Sequence, residues 1–123
     1  FLGLIKNWFA MKFLSLNHYV SEYEMVCRTL GDLLGNIDCF EEGIQEEMDG
    51  MRLALSNGME AILSATLFDC GWNMEHLWGE KYTKEKSLQY MKACYYLHAI
   101  FGRMKDRNFV KSYIERTYNL RLN

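Results

Sequence analysis

The most regular pattern in this sequence lies in residues 38–71, which read DCFEEGIQEEMDGMRLALSNGMEAILSATLFDCG. Bulky apolar residues recur there every three or four positions, which places them on one face of a helix. They are Phe40, Ile44, Met48, Met51, Leu55, Met59 and Ile62. A neighbouring stripe holds the small residues Gly43, Gly50, Ala54, Gly58, Ala61 and Ala65. The stretch predicts one central helix packed on two sides. Because the apolar stripe keeps its phase across Gly58, we expect a kink there and not a break.

The residues before this stretch predict a tight turn between two antiparallel helices. Gly35 and Asn36 tolerate the left-handed backbone angles found at helix ends. Asp38 and Glu41 have the spacing of a capping box, which would start the central helix. Apolar residues at helical spacing in 17–34 predict the partner helix, and a connection this short favours antiparallel packing.

The remaining segments are also helical in pattern. Residues 1–16 are almost continuously apolar, residues 83–106 carry two apolar stripes, and Asn108 can cap a last short helix. Residues 72–82 form the main irregular stretch, which we expect to cover one end of the bundle. Proline is absent, which favours long helices over a β fold. The predicted fold is all-α: a single domain over residues 1–123, in which four long helices and a short C-terminal helix form a compact antiparallel bundle.

Cysteine spacing and hydropathy favour an intracellular protein with reduced thiols. The four cysteines form no C-x-x-C pair, and no apolar run reaches the 18 residues of a membrane span. The apolar first sixteen residues would pack in the core or against another subunit. Contact with a membrane surface is disfavoured, since their polar face offers just two lysines, Lys6 and Lys12.

Charge is distributed unevenly along the chain. Residues 1–66 hold ten acidic and four basic side chains, whereas residues 67–123 hold six acidic and ten basic ones. We expect the two halves to face each other in the fold, so that their charges compensate. The acidic side chains at the start of the central helix would form a solvated face, where the helix dipole favours negative charge. These are Glu41, Glu42, Glu46, Glu47 and Asp49.

No recognisable motif for catalysis or cofactor binding is present, so we predict a non-enzymatic protein without a cofactor. Cys94 and His98 are four residues apart, and Cys70 and His76 lie upstream, as a zinc site would require. Since Cys94 and His98 sit within apolar stripes, we interpret them as core residues and predict no metal.

The abundance of aromatic and methionine residues favours a protein-interaction module, such as a small regulator, an inhibitor or an assembly subunit. It would bind a protein partner or self-associate, with a homodimer as one form. The predicted partner-binding residues are Trp8, Phe9, Trp72, Trp78 and Tyr82. The alternative is a nucleic-acid-associated helical subunit that uses the basic region 103–121. Its contact residues would be Arg103, Lys105, Arg107, Lys111, Arg116 and Arg121. A pI near 5.9 argues against that alternative, since dedicated nucleic-acid binders are usually basic.

Overall fold

A computed structural model describes residues 2–6 and 16–123 of the chain. Residues 2–6 are helical, and five longer α-helices follow in the second range. They are α1 (Leu16–Asn36), α2 (Phe40–Ser56), α3 (Ser64–Glu75), α4 (Lys84–Ile100) and α5 (Met104–Tyr118), with a 3-10 turn at Glu60–Ile62 between α2 and α3. The predicted all-α helical bundle is confirmed. Within the described ranges, no helix has both the length and the apolar character needed to cross a membrane.

Glycines let α1 and α2 pack closely as an antiparallel pair. Tyr23 on α1 donates a hydrogen bond to Asp49 on α2. A Cβ atom on Gly50 would lie 2.8 Å from Cys27 Cβ, and one on Gly43 would lie 2.9 Å from the Gly31 carbonyl oxygen. Residues later in α1 therefore contact residues earlier in α2, which is the predicted antiparallel arrangement. The small-residue stripe is a packing seam within α2, because no larger side chain fits between the two backbones.

The predicted central helix is interrupted, so the expectation of a kink at Gly58 was wrong. Met59 N–H donates to the Ala54 carbonyl at 2.9 Å and Gly58 N–H donates to the Leu55 carbonyl at 3.1 Å. Gly58 itself has φ +67°. This is the Schellman arrangement that ends a helix. Beyond the break the small stripe no longer lies in the interior, since Gly58, Ala61 and Ala65 are exposed.

The start of α2 also differs from the prediction. Asp38 does not cap the helix, because it adopts a left-handed conformation with φ +65°. Cys39 N–H donates to the Leu34 carbonyl at 2.8 Å, and Asp38 N–H donates to the Gly35 carbonyl at 3.1 Å. Asp38 thus occupies the position that glycine usually takes after a helix. Cys39 is the N-cap of α2, and its side chain makes no capping bond.

Helix α3 lies between two groups of buried apolar side chains, and it packs on the α1–α2 pair and on α4. One group, formed with α1 and α2, consists of Val20, Ile44, Met51, Ala54, Leu63, Cys70 and Met74. The other, formed by α4, α5 and the C-terminal residues, consists of Met91, Cys94, Tyr95, Val110, Ile114, Tyr118 and Leu122. The central position that was predicted for residues 38–71 therefore belongs to α3 alone. Gly71 is not a helix end, because it is buried within α3 where a Cβ would lie 3.1 Å from Met91 Cε.

Among residues 2–6 and 16–123, no ion pair joins the acidic half of the chain to the basic half. In the described ranges, the ion pairs are Lys6 with Glu46 and His18 with Glu22, both inside the acidic half. The expected compensation across the fold is thus not made by ion pairs between the halves.

Another Schellman arrangement, like those at Asp38 and Gly58, separates α4 from α5. Helix α4 ends at Ile100, six residues earlier than predicted, and Gly102 follows with φ +70°. Arg103 N–H donates to the His98 carbonyl at 2.8 Å. Helix α5 then begins at Met104 and not at the predicted cap Asn108, and it spans 15 residues.

Candidate functional site

The predicted partner-binding residues divide into two groups. Trp8 and Phe9 lie outside the described residues. Trp72, Trp78 and Tyr82 are half-buried near the end of α3 and in the following loop. Trp78 Nε1 donates to Ser87 Oγ at 2.8 Å, and its ring lies 5.4 Å from that of Tyr118. These contacts are those of a loop that packs on the bundle, and a partner-binding role for its rings stays a prediction.

Two of the six predicted nucleic-acid contacts hold the fold together. Arg103 Nη2 donates to Ser64 Oγ at 2.6 Å, and its Nε donates to His98 Nδ1 at 3.0 Å. Arg107 Nη2 donates to the Tyr95 hydroxyl at 2.9 Å, and its guanidinium lies over the Tyr95 ring. Of the other four, Lys105, Arg116 and Arg121 are exposed and Lys111 is half-buried.

Four large apolar side chains are exposed between the end of α4 and the first half of α5. They are Ile100, Phe101, Met104 and Phe109, and they are here called the α4–α5 surface. The exposed fraction is 74% for Ile100 and 63% for Phe109. The sequence did not indicate these residues as a surface, because Phe101 and Met104 belong to an apolar stripe of residues 83–106 and Phe109 was assigned to the inward face of the last helix. The feature that sequence reasoning overlooked is the helix end marked by Gly102, after which the chain turns away from α4.

A cavity of about 190 Å³ lies beside this surface. It lies between α3, α4 and α5, and its walls include Phe68, Cys94, His98, Asp106 and Phe109. Burial raises the pKa of Cys94 to about 12, so its thiol is protonated at neutral pH and is not an activated nucleophile. The cavity is therefore better suited to accept an apolar side chain than to perform covalent chemistry.

A group of carboxylates lies where α1, α2 and α3 meet. Asp32, Glu47 and Asp69 come from these three helices in turn, and one oxygen of each lies within 4.8 Å of the others. Glu47 is fully buried, Asp69 is half-buried and Asp32 is exposed. Glu24 lies nearby, buried, and accepts a hydrogen bond from Thr66. The carboxylates thus extend from solvent into the interior.

Gly31 on α1 makes room for the Glu47 side chain. A Cβ atom on Gly31 would lie 2.3 Å from Glu47 Cγ and 2.8 Å from its Oε2. Asn73 Nδ2 donates to Glu47 Oε1 at 2.9 Å, whereas Glu47 Oε2 has no hydrogen-bond partner. The fold therefore accommodates a buried carboxylate with one oxygen left unsatisfied.

Burial is the main cause of the shifted pKa values in this group. It raises the pKa of Glu47 to about 8, and the Asn73 hydrogen bond opposes that rise only in part. Burial also raises the pKa of Asp69 to about 7; Asp32 adds to the rise and Arg28 opposes it. A bound proton or a neighbouring cation would offset the cost of burying the charge of either carboxyl.

Sequence reasoning missed Glu47, which was assigned to the solvated acidic face of α2. A local signal was present, since Gly43, Glu47, Gly50 and Ala54 follow one another at helical spacing. Glu47 therefore belongs to the small-residue seam that faces α1. Cys70, His76, Cys94 and His98, which were considered as zinc ligands and rejected, do not converge; among residues 2–6 and 16–123 the one convergent group of this kind is Asp32, Glu47 and Asp69.

The chain was compared with protein-family models, with curated proteins and with solved structures. None of the three comparisons finds a match.

Proposed function

We propose that this chain is a protein-interaction module that binds an acidic amphipathic helix of a partner protein at the α4–α5 surface. The observation that carries the proposal is the exposure of four large apolar side chains in and just after one turn in the basic half of the chain. Such a module would act as a small regulator, an inhibitor or an assembly subunit, and it would require no chemistry of its own.

The apolar part of this surface provides the binding energy. Exposed apolar residues that stand singly are common on proteins, but a group with two phenylalanines is typical of an interaction site. The cavity beside Phe109 can accept one apolar side chain of the partner. An amphipathic helix presents apolar side chains three and four positions apart, which suits a surface with one cavity and neighbouring exposed rings.

The charge around the surface selects the partner. On α5, Lys105 precedes Phe109 by four residues and Arg116 follows it by seven, so all three share one helix face. Both charged side chains are exposed. Region 103–121 holds six basic and two acidic residues. A partner with acidic residues beside its apolar stripe would associate faster and more selectively than a neutral one.

The turn that bears this surface is held in place before any partner arrives. Arg103 connects it to Ser64 at the start of α3 and to His98 on α4. The Arg103 guanidinium also lies 5.3 Å from the centre of the Phe101 ring. Because the side chains are already positioned, binding would require less ordering of the turn.

The test is a selection of displayed random peptides on the immobilised full chain. We expect the enriched peptides to be acidic, with large apolar residues three or four positions apart. Isothermal titration of a representative peptide should give a Kd that rises at least tenfold when Phe109→Ser and Ile100→Ser are combined. The same Kd should rise on Lys105→Glu plus Arg116→Glu, and it should rise with added salt.

Leu33→Ser plus Ile37→Ser is the matched control, because both side chains are exposed at the end of α1 and in the turn after it. That variant should keep the wild-type Kd. Enrichment of basic peptides, or equal binding by the Phe109/Ile100 variant, would contradict the proposal.

Two further experiments test whether a second copy of the chain or a nucleic acid binds instead. Sedimentation of the chain alone would reveal a homodimer through this surface, and titration with oligonucleotides would reveal the nucleic-acid alternative by its steep salt dependence.

A further inference from the structure

We propose that Asp32, Glu47 and Asp69 bind one hard divalent cation at the junction of α1, α2 and α3. Each helix contributes one carboxylate, and an oxygen atom of each lies within 4.8 Å of the other two. A single ion between them can therefore reach all three side chains. This site is separate from the α4–α5 surface and does not depend on the proposed function.

The unsatisfied oxygen of Glu47 is a second observation that indicates a ligand. Glu47 has no exposed surface, and its Oε2 lacks any hydrogen-bond partner. A buried polar atom without a partner is costly, and a carboxylate oxygen more so. One oxygen of the Glu47 carboxylate lies within 4.8 Å of an oxygen of Asp32 and of Asp69, so a cation between the three residues would supply the missing interaction.

Nearby positive charge is insufficient to balance these carboxylates. Arg28 lowers the pKa of Asp69 and of Glu24, so it acts on this group as a counter-charge. One guanidinium faces four carboxyl groups, namely Glu24, Asp32, Glu47 and Asp69, and the pKa values of Glu47 and Asp69 stay raised in spite of it. A divalent cation would offset the charge that these groups acquire when they lose their protons.

The donor atoms define the class of cation. All three are carboxylate oxygens, which suit Ca²⁺, Mg²⁺ and Mn²⁺ and not the soft metals that prefer thiolates. Ca²⁺ binds oxygen atoms at about 2.3–2.6 Å, so carboxylate oxygens that lie within 4.8 Å of one another can share one such ion.

Solvent access is provided by Asp32, which is exposed on α1. An ion would enter from that side, retain water on its solvent-facing positions and contact Glu47 at its inner position. Because the three ligands belong to different helices, the bound ion would link the α1–α2 pair to α3. We therefore expect binding to stabilise the fold.

The test uses the full chain after removal of metals with a chelator, at pH 8 and fixed ionic strength. Melting is recorded with added CaCl2, MgCl2 or MnCl2, and the binding of Mn²⁺ is counted by electron paramagnetic resonance. At a concentration well above the Kd, we expect at least one cation to raise Tm by about 5 °C or more. One Mn²⁺ should be immobilised per chain.

Two variants separate cation binding from a purely structural role. Asp32→Asn alters an exposed ligand, so the chain should fold normally while its affinity for the cation falls at least tenfold. Glu47→Gln removes a buried charge, so it should raise Tm without cation and abolish the rise on adding one. Asp38→Asn plus Glu42→Gln removes two exposed charges near the start of α2 and should leave the cation response unchanged.

The proposal would be overturned if none of the three salts raised Tm at 10 mM. It would also be overturned by an equal rise in wild type and Glu47→Gln, since that result would indicate general screening of surface charge. The peptide selection at the α4–α5 surface can succeed or fail independently of either result.

Discussion

At the scale of single residues, His98 connects the end of α4 to the start of α5. It is buried, and its Nδ1 accepts a hydrogen bond from Arg103 Nε at 3.0 Å. This bond requires an unprotonated Nδ1. Burial and the adjacent Arg103 guanidinium lower the pKa of His98, while Asp106 opposes this effect. Asp69 and Cys94 line the same cavity as His98.

The lowered pKa predicts the direction of a pH effect on stability. In the unfolded chain His98 takes up a proton near its ordinary pKa of about 6.5, whereas the folded chain resists protonation until lower pH. The stabilisation is therefore present above about pH 6.5 and is lost as the pH falls below that value. Urea unfolding at pH 7.5 and pH 5.5 measures the loss.

His98→Gln is the matched variant, since its amide oxygen can accept the Arg103 bond and does not titrate. We expect the free energy of unfolding of wild type to fall between the two pH values relative to that of His98→Gln. The raised pKa values of Glu47 and Asp69 oppose this fall, but they act equally in both chains. The exposed His76→Gln should behave like wild type. An identical pH dependence in His98→Gln and wild type would show that His98 does not contribute to it.

At the scale of helices, two ends of similar geometry carry different residues. Gly58 follows α2 with φ +67°, and Asp38 follows α1 with φ +65°. A Cβ on Gly58 would meet no atom within 4 Å, so backbone conformation alone opposes a side chain there. Non-glycine residues adopt this left-handed conformation at a cost of about 1–2 kcal/mol.

Opposite substitutions at these ends should have opposite effects. We expect Gly58→Ala to lower the free energy of unfolding by about 1 kcal/mol, and Asp38→Gly to raise it by up to about 1 kcal/mol. Chemical denaturation of both variants measures the two changes. An unchanged free energy of unfolding in Gly58→Ala would mean that the chain after α2 readily adopts another conformation.

These helix ends also show which features of the fold were predictable. The helical period, the presence of a short turn after α1 and the seam at Gly43 and Gly50 follow from residue spacing, because neighbouring residues determine them. The left-handed residue of that turn was predicted wrongly, since it is Asp38 and neither Gly35 nor Asn36. The break at Gly58 was not predicted, since Met59 and Ile62 happen to keep the apolar phase across it. The burial of Glu47 depends on Gly31 of another helix, and a pattern read along one helix cannot include that contact.

At the scale of the whole molecule, α3 meets its neighbours through two different kinds of interface. Toward α4 the contacts are mainly apolar, with Gly71 against Met91. Toward α1 and α2 the apolar contacts of Met74 and Cys70 share the interface with Glu24, Glu47 and Asp69. Buried carboxylates offset part of the hydrophobic stabilisation. Without a cation, the interface with α1 and α2 should therefore be the weaker of the two.

Hydrogen exchange should reveal this difference in chelator-treated protein. We expect the amides of α1 and α2 to exchange at least about tenfold faster than those in the middle of α4 and α5, because the weaker interface opens first. Glu47→Gln should slow exchange in α1 and α2 and leave α4 and α5 nearly unchanged, since the variant removes charge from one interface alone. The exposed Glu42→Gln on the same helix is the control and should have no effect. Uniform exchange across all five helices would contradict this expectation, because it would show that they open as one cooperative unit. Equal slowing by Glu47→Gln and Glu42→Gln would show that the buried carboxylates do not weaken the interface between α3 and the α1–α2 pair.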